Sequence, residues 1–317
     1  MKPGWRLAGL GLGFMLLFGG LTLRLWSLQI AEGQVFEETA ASQQIRVVST
    51  PAPRGEIVDS KLRVLAGTRV ALGVIVDRQL LPEERLDEVV GRLAALLELS
   101  TAEVRELIDS APPGGRAVVA PEATTADALF IVEHAEDFPG IFVEDQPLRV
   151  YPAGGDAAHV VGYIGRPDES DLAVAGIDPT DVVGKFGVEG TYDQWLRGTA
   201  GFIKYRVGAA GDVLALLGVQ PPAPGGTTVL TLDLDVQQVL EESLRQGMVL
   251  AKSEGEQATR AAGVVLDVTD GSVVAMASVP SFEPQAFVGG LTQNEWDALS
   301  DLGAFNNFVI QGIYPPG

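Results

Sequence analysis

The sequence predicts an α+β protein built from a single N-terminal transmembrane helix, a β-rich domain, and a further domain that combines an antiparallel sheet with helices. Three observations support this prediction. Residues 7–23 contain no charge, residues 57–110 combine β-branched runs with segments of helical periodicity, and a Pro- and Gly-rich break at 220–226 precedes a strand, a long helix and a hairpin. Together they indicate a membrane-anchored chain with two folded parts.

The length and charge of the chain limit its possible functions. Its 317 residues suffice for two or three domains. The 42 acidic and 22 basic residues give a net charge of −20, the wrong sign for a phosphate-binding surface, so we expect no nucleic-acid partner. The chain has no cysteine, and its two histidines, His134 and His159, lack metal-ligand spacing. The sequence therefore predicts neither metal nor cysteine chemistry.

The N-terminal segment predicts a membrane anchor. Residues 7–30 are apolar with one interruption, and a helix of this length crosses a hydrocarbon core of about 30 Å. Lys2 and Arg6 precede it, so the positive-inside rule places residues 1–6 in the cytoplasm and the bulk of the chain outside. A cleaved signal peptide is the alternative, but bulky residues follow the apolar run. We expect a polar, helical stretch at 31–49 after the anchor, with residues 31–44 as its juxtamembrane part.

Local patterns predict the elements of the first folded part. Closely spaced β-branched residues predict strands near 57–65 and at 70–76. Helical spacing of apolar residues predicts helices at 82–99 and 101–110, the second capped by Ser100 or Thr101. The remaining predictions are strands at 141–143 and 148–151, a loop at 166–184, and a hairpin at 201–217 that turns at Ala210 and Gly211.

The Pro- and Gly-rich break predicts a boundary between domains at 45–222 and 223–317. After it we expect a strand at 228–232 and then a helix capped by Asp233 or Asp235. The apolar face of this helix consists of Val236, Leu240, Leu244 and Met248. The apolar runs 261–267 and 272–278, joined by a turn, predict an antiparallel hairpin.

Several motifs, in this order, resemble those of class B penicillin-binding proteins. The R-G-E-I-V-D run with Arg54, Gly55 and Asp59 resembles the element that opens the family's pedestal domain, although Ser60 and Leu62 replace its usual Arg and Gly. A later pedestal element is matched by Gly187, Glu189, Arg197 and Gly198. The hairpin at 261–278 and the run N-N-F-V-I-Q-G-I-Y-P-P-G at 306–317 resemble the start of the transpeptidase domain, with Asn307 and Phe308 departing from the family pattern. The pedestal element at 184–201 and the run G-I-Y-P-P-G at 312–317 are more similar to the elongation branch of the family, which acts in cell shape, than to the division branch.

This resemblance implies a serine D,D-transpeptidase of peptidoglycan synthesis, without a cofactor. In the family, Pro-Gly is followed by S-x-x-K, whose Ser is the nucleophile. None of the five lysines here has Ser three residues before it, and neither S-D-N nor K-T-G occurs. We therefore expect an inactive fragment cut ahead of its nucleophile, in which residues 223–317 form the N-terminal part of the transpeptidase domain and the hairpin exposes an unpaired edge.

The resemblance also implies a place and a partner. It places the chain in the bacterial plasma membrane as a single-pass protein, beside a SEDS-type glycan polymerase that is contacted through the anchor and the pedestal. Peptidoglycan stem peptides and β-lactams are expected to bind only the full-length protein. The alternative is a non-catalytic membrane adaptor that binds or activates the polymerase through its pedestal.

Candidate polar residues have structural interpretations. Arg54 and Glu189 are expected to form a partly buried ion pair that fixes the pedestal strands. His159, beside two valines, is expected to be a buried strand residue rather than a base. Asp267 and Asp270 flank a turn, where Asp forms local hydrogen bonds, which favours a turn over paired-carboxylate catalysis. The sequence therefore predicts no catalytic residue in this chain.

Overall fold

A computed structural model describes residues 3–26, 45–110, 115–208 apart from 175, 178 and 180, and 213–313. The predicted juxtamembrane segment 31–44 and the turn at Ala210 and Gly211 lie outside the described residues. The helices are α1 (Pro3–Trp26), α2 (Leu86–Leu96), α3 (Thr101–Asp109), α4 (Thr125–Glu133), α5 (Ala158–Val161), α6 (Glu169–Leu172), α7 (Gly187–Thr191), α8 (Asp193–Leu196), α9 (Leu234–Ser253), α10 (Gln285–Val288), α11 (Gln293–Leu302) and α12 (Phe308–Gln311). The strands are β1 (Ile45–Thr50), β2 (Ile57–Val58), β3 (Val64–Asp77), β4 (Arg116–Ala120), β5 (Ile141–Val150), β6 (Ile164–Gly165), β7 (Val183–Gly184), β8 (Gly201–Val207), β9 (Val213–Gln220), β10 (Thr228–Val229), β11 (Ala261–Leu266) and β12 (Val273–Val279).

The chain forms two compact units, and the first comprises Met1–Ser49 and Phe202–Gln220. It contains α1 and a three-stranded sheet of order β1-β8-β9. The helical prediction for 31–49 was wrong at 45–49, because these residues are rich in β-branched side chains and form β1. Strands β8 and β9 form the antiparallel hairpin that the sequence predicts. Among the residues that the structure describes, no helix has both the length and the apolarity that crossing a bilayer requires.

The second unit comprises Thr50–Gly201 and Pro221–Gly317 and is organised around the long strand β3. In its main sheet, β3 pairs with β2 near its start, with β5 along Gly67–Val76, and with β4 near its end. Helices α2 and α3 cover one end, where Val89, Leu93 and Ile108 are buried with residues of the sheet. Ser100 caps α3 in a capping box with Glu103, which confirms the predicted cap.

Several predictions for this unit were wrong in detail. The loop expected at 166–184 contains the short helix α6 and the strand β7, which pairs with β6. The strands expected at 141–143 and 148–151 are one strand, β5, because Pro147 lies opposite Val70 on an edge strand. An edge strand needs no amide donor on its outer side, so proline does not interrupt it. His159 is buried as expected but lies in the helical turn α5, because Ala157 (φ 57°) and Gly162 (φ 84°) bracket that turn with left-handed conformations.

The C-terminal part of the second unit is a helix packed on a hairpin. Asp233 caps α9, and Leu240 and Leu244 contact the hairpin where Gly263 leaves room for them. Strands β11 and β12 form the predicted antiparallel hairpin, and the amide of Thr269 donates to Asp267 at 2.8 Å in the connecting turn. In the part of the chain that the structure describes, no further strand pairs with β11. The hairpin therefore has the open edge that the sequence predicts.

Candidate functional site

A buried ionic cluster centred on Glu189 joins three distant segments of the second unit. Glu189 lies in α7 and is fully buried. Its Oε2 accepts a hydrogen bond from Arg54 Nε at 2.6 Å, and its Oε1 accepts one from Arg149 Nε at 2.7 Å. The hydroxyl of Tyr151 also donates to Oε1, at 3.2 Å. One carboxylate therefore accepts charge-assisted hydrogen bonds from two guanidinium groups away from water.

The predicted ion pair between Arg54 and Glu189 is thus present, and it belongs to a larger network. Arg54 also donates to Asp193 Oδ1 at 2.8 Å and to the Glu189 carbonyl at 3.0 Å. Asp193 accepts from the amide of Gly184 at 2.7 Å and contacts Arg197 at 3.3 Å. The cluster consequently fixes the loop at Arg54 against β7, α7 and α8.

The glycines that the sequence singles out lie at close backbone contacts around this cluster. The amide of Gly55 donates to the Leu196 carbonyl at 2.7 Å, and a Cβ at this position would lie 2.0 Å from the carbonyl oxygen of Gly226. Gly187 has φ 59°, and a Cβ there would lie 2.5 Å from the Val160 carbonyl oxygen. Gly198, at φ 70°, follows α8. Only glycine permits these approaches.

A second ionic cluster connects β2 and β3 to the start of α9. Asp59 is fully buried and accepts hydrogen bonds from the amides of Lys61, Arg63 and Leu234. Burial alone would raise the pKa of the Asp59 carboxyl, but hydrogen bonds from the backbone and side chain of Arg63 and from the other two amides lower the pKa below its ordinary value. Arg63 also contacts Asp233 at 2.9 Å. The carboxylate therefore contributes to the N-terminal cap of α9 from outside the helix.

Buried side chains of α9 bind both the hairpin and the residue that precedes α5. The buried side chain of Gln237 accepts from the Met276 amide at 2.8 Å and donates to the Met276 carbonyl at 2.8 Å. One turn later, Glu241 Oε1 accepts from Gln237 and, at 2.9 Å, from the amide of Ala157. These buried polar groups satisfy one another, so the helix has a defined register on β12.

His159 is enclosed rather than poised for catalysis. Its Nε2 donates to the Ala304 carbonyl at 2.7 Å, and its ring packs edge-on against Phe282. Burial lowers the pKa of His159, and the bond to Ala304 only partly offsets this effect. Neutral imidazole at this position anchors the segment before α12, where the buried Asn307 caps the helix.

The sequence patterns missed Arg149 and did not reveal the contacts that Tyr151 and Asp193 make in these clusters. Arg149 and Tyr151 lie at and just beyond the end of β5, where alternation does not reveal a charged residue pointing inward. Asp193 follows Tyr192 in a motif that the sequence does identify, but its role requires the folded geometry. An arginine within an otherwise strand-forming segment was the available signal for Arg149.

Comparison with known proteins shows which family the chain belongs to. Residues 49–230 match the family described as the penicillin-binding protein dimerisation domain. The chain belongs to this family. Its relatives place it among class B penicillin-binding proteins of the elongation branch, as the motifs predict.

Two curated relatives of this penicillin-binding protein family carry the name peptidoglycan D,D-transpeptidase MrdA. The protein from Acinetobacter baumannii is 30% identical over 94% of this chain and 43% of its own length. The protein from Escherichia coli K12 is 29% identical over 96% of this chain and 48% of its own length. The chain therefore spans about half the length of the curated relatives it matches.

Solved structures of the family have a similar fold. A complex between penicillin-binding protein PBP2 and MreC from Helicobacter pylori matches with a TM-score of 0.68 and 25% identity, over 86% of this chain and 50% of that one. A structure titled as structural coordination of polymerization and crosslinking by a peptidoglycan synthase complex matches with a TM-score of 0.55 and 30% identity, over 93% of this chain and 50% of that one. The mixed α+β architecture is therefore that of this family.

Proposed function

We propose that this chain is the membrane-anchored, extracytoplasmic stalk and the opening part of the transpeptidase domain of a cell-wall crosslinking enzyme of the bacterial plasma membrane. In this proposal residues 1–6 are cytoplasmic, 7–30 cross the membrane, 31–44 are juxtamembrane, 45–222 form the pedestal and 223–317 begin the transpeptidase domain. The apolar, uncharged run and the preceding Lys2 and Arg6 support the anchor.

The observation that carries the proposal is the pair of ionic clusters. Glu189 ties the segment at Arg54 to β5 and α7, and Asp59 ties the same part of the chain to the start of α9. Arg54, Gly55, Asp59, Gly187, Glu189, Arg197 and Gly198 are in this proposal structural residues of the pedestal. Their role is to hold the transpeptidase part in a fixed position relative to the pedestal sheet.

The reaction itself belongs to the whole protein. By analogy with the relatives named transpeptidase, a serine attacks the penultimate D-Ala carbonyl of one stem peptide and releases the terminal D-Ala. The acyl group then passes to an amine of a second stem peptide. β-Lactams acylate the same serine. No S-x-x-K, S-D-N or K-T-G motif occurs in the 317 residues, so this chain supplies the support of that site and not its nucleophile.

The partner in this proposal is a glycan polymerase of the SEDS type. A matched structure bears a title that couples polymerization with crosslinking, which supports a polymerase partner for this chain. Because the contacts of both ionic clusters described above are made by residues of this chain, a second candidate function is a non-catalytic adaptor that activates the polymerase through the pedestal.

Fluorescent penicillin labelling tests the proposal. The 317-residue chain is expected to show no covalent label after denaturing electrophoresis, whereas a protein extended to the length of the relatives and containing S-x-x-K is expected to be labelled. Covalent labelling of the 317-residue chain would refute the proposal that the nucleophilic serine lies outside these residues. Activation of glycan polymerization by this chain alone would favour the adaptor, and its loss in Glu189→Gln would link activation to the pedestal cluster.

A further inference from the structure

The sheet of the first unit has an exposed apolar face. Directly paired residues of antiparallel strands place their side chains on the same face, and register irregularities near Leu214 and Leu217 give β9 a spacing of three on that face. We call this set the outer apolar face, and its members in β8 and β9 are Ile203, Tyr205, Val207, Val213, Leu216 and Val219. Val213, Leu216 and Val219 are 59%, 59% and 58% exposed. A contiguous exposed patch of this kind marks an interaction surface.

The charge of the same sheet has the opposite sign to that of the whole chain. Strands β1, β8 and β9 contain Arg46, Lys204 and Arg206 and no acidic residue, whereas the chain has a net charge of −20. Lys204 and Arg206 lie on the other face of β8, and the ammonium of Lys204 packs over the ring of Phe202 at 4.7 Å. At an ionic strength of about 0.1 M the Debye length is about 10 Å, so these charges act across the thickness of the sheet.

Chain connectivity favours the bilayer as the occupant of this face. Strand β1 is the next described element after α1, and residues 27–44 between them span at most roughly 60 Å. If the apolar N-terminal segment is anchored as proposed above, the sheet is tethered near an anionic lipid surface. Exposed apolar side chains in a sheet whose charged residues are all basic are the combination that binds the interface of such a membrane.

We infer that the outer apolar face of the β1-β8-β9 sheet rests on the surface of an anionic bilayer, with Leu216 and Val219 in the headgroup region and Lys204 and Arg206 attracted to anionic lipid. The inference rests on the proposed anchor for its tether. It adds a second membrane contact that the anchor alone does not require.

The chain has no cysteine, so single labels test this contact directly. The intact chain is reconstituted in vesicles of phosphatidylglycerol and phosphatidylethanolamine with a polarity-sensitive fluorophore on Val219→Cys, and spin-labelled lipid headgroups serve as quenchers. Gln220→Cys is the matched control, because Gln220 is the adjacent exposed residue and pairs with Phe202 on the opposite face. We expect at least threefold stronger quenching for the Val219 label than for the Gln220 label.

Electrostatics supply a second readout. With Lys204→Glu and Arg206→Glu together, or with zwitterionic phosphatidylcholine vesicles, the Val219 label is expected to lose most of its quenching, since each basic residue contributes roughly fivefold to binding at an anionic surface. Equal quenching of the Val219 and Gln220 labels would overturn the inference. So would quenching of the Val219 label that is the same in anionic and zwitterionic vesicles and is unchanged by the two charge substitutions. A Val219 label that becomes shielded only when a partner protein is added would also overturn it in favour of a protein contact.

A label on Leu16→Cys, quenched by spin labels placed deep in the acyl chains, separates this inference from the proposed anchor. Quenching at Leu16 without quenching at Val219 would retain the anchor and reject the surface contact. Quenching at Val219 without quenching at Leu16 would reject the anchor and retain the contact. Absence of quenching at both positions would reject both.

Discussion

Glu189→Gln is the sharpest perturbation of the buried cluster, because it keeps the shape of the side chain and removes its charge. The side chain of Glu189 is fully buried, and that of Arg149 is 1% exposed. After the substitution Arg54 still contacts Asp193, whereas the other hydrogen-bond acceptor of Arg149 is the Gly55 carbonyl at 2.6 Å. A buried guanidinium then lacks its counter-charge, and breaking a buried pair in this way costs about 3–5 kcal/mol of unfolding free energy.

Urea denaturation of the detergent-solubilised chain, followed by far-UV circular dichroism, measures this cost. The matched control is Asp87→Asn, which breaks the exposed pair between Arg105 and Asp87, whose side chains are 49% and 86% exposed. This control is expected to cost less than about 1 kcal/mol. The combination of Glu189→Leu with Arg149→Met is expected to recover most of the loss, since it removes both charges. A Glu189→Gln variant as stable as the Asp87→Asn control would refute the reasoning.

The remaining predictions concern backbone packing and pH. Gly55→Ala is expected to lose at least about 2 kcal/mol, because its Cβ would lie 2.0 Å from the Gly226 oxygen. Gly91→Ala, in α2 with nothing within 4 Å, is expected to gain up to about 1 kcal/mol, and equal denaturation midpoints for the two variants would contradict this. The pKa of buried His159 is lowered, so below about pH 6.5 the unfolded chain binds more protons than the folded chain. The free energy of unfolding should therefore decrease as the pH is lowered below this value, by at most about 1.4 kcal/mol per pH unit. His159→Gln should flatten that slope in denaturation midpoints measured from pH 7.5 to 5, and an unchanged slope would exclude His159 as its source.

Sequence patterns were most successful where a local rule determines the outcome. The cap at Ser100, the helix that begins after Asp233 and the hairpin of β11 and β12 all follow from short-range chemistry, and each is present. Local rules did not predict that β5 continues through Pro147, since that depends on which side of the strand is paired. The position of a residue in the sheet is a tertiary property.

The candidate site shows the same division. Arg54 and Glu189 could be paired in advance, because opposite charges occupied positions that the family resemblance brings together. Arg149 and Tyr151 could not, since nothing in β5 indicates which charged side chain points inward before the partner carboxylate is located. Burial of His159 was predictable from its apolar neighbours, but the left-handed residue at Ala157 that confines it to one helical turn was not.

The hydrogen bonds of Gln237 determine at which edge of the hairpin a further strand can pair. Its amide group takes the place of a neighbouring strand at Met276, donating and accepting as a backbone peptide would. The outer edge of β12 therefore has its central peptide groups already hydrogen-bonded, whereas β11 has no second strand neighbour among the described residues. Any polypeptide that enlarges this sheet, whether from the same protein or from another molecule, is directed to β11, so a proline or charge introduced there would selectively block the addition.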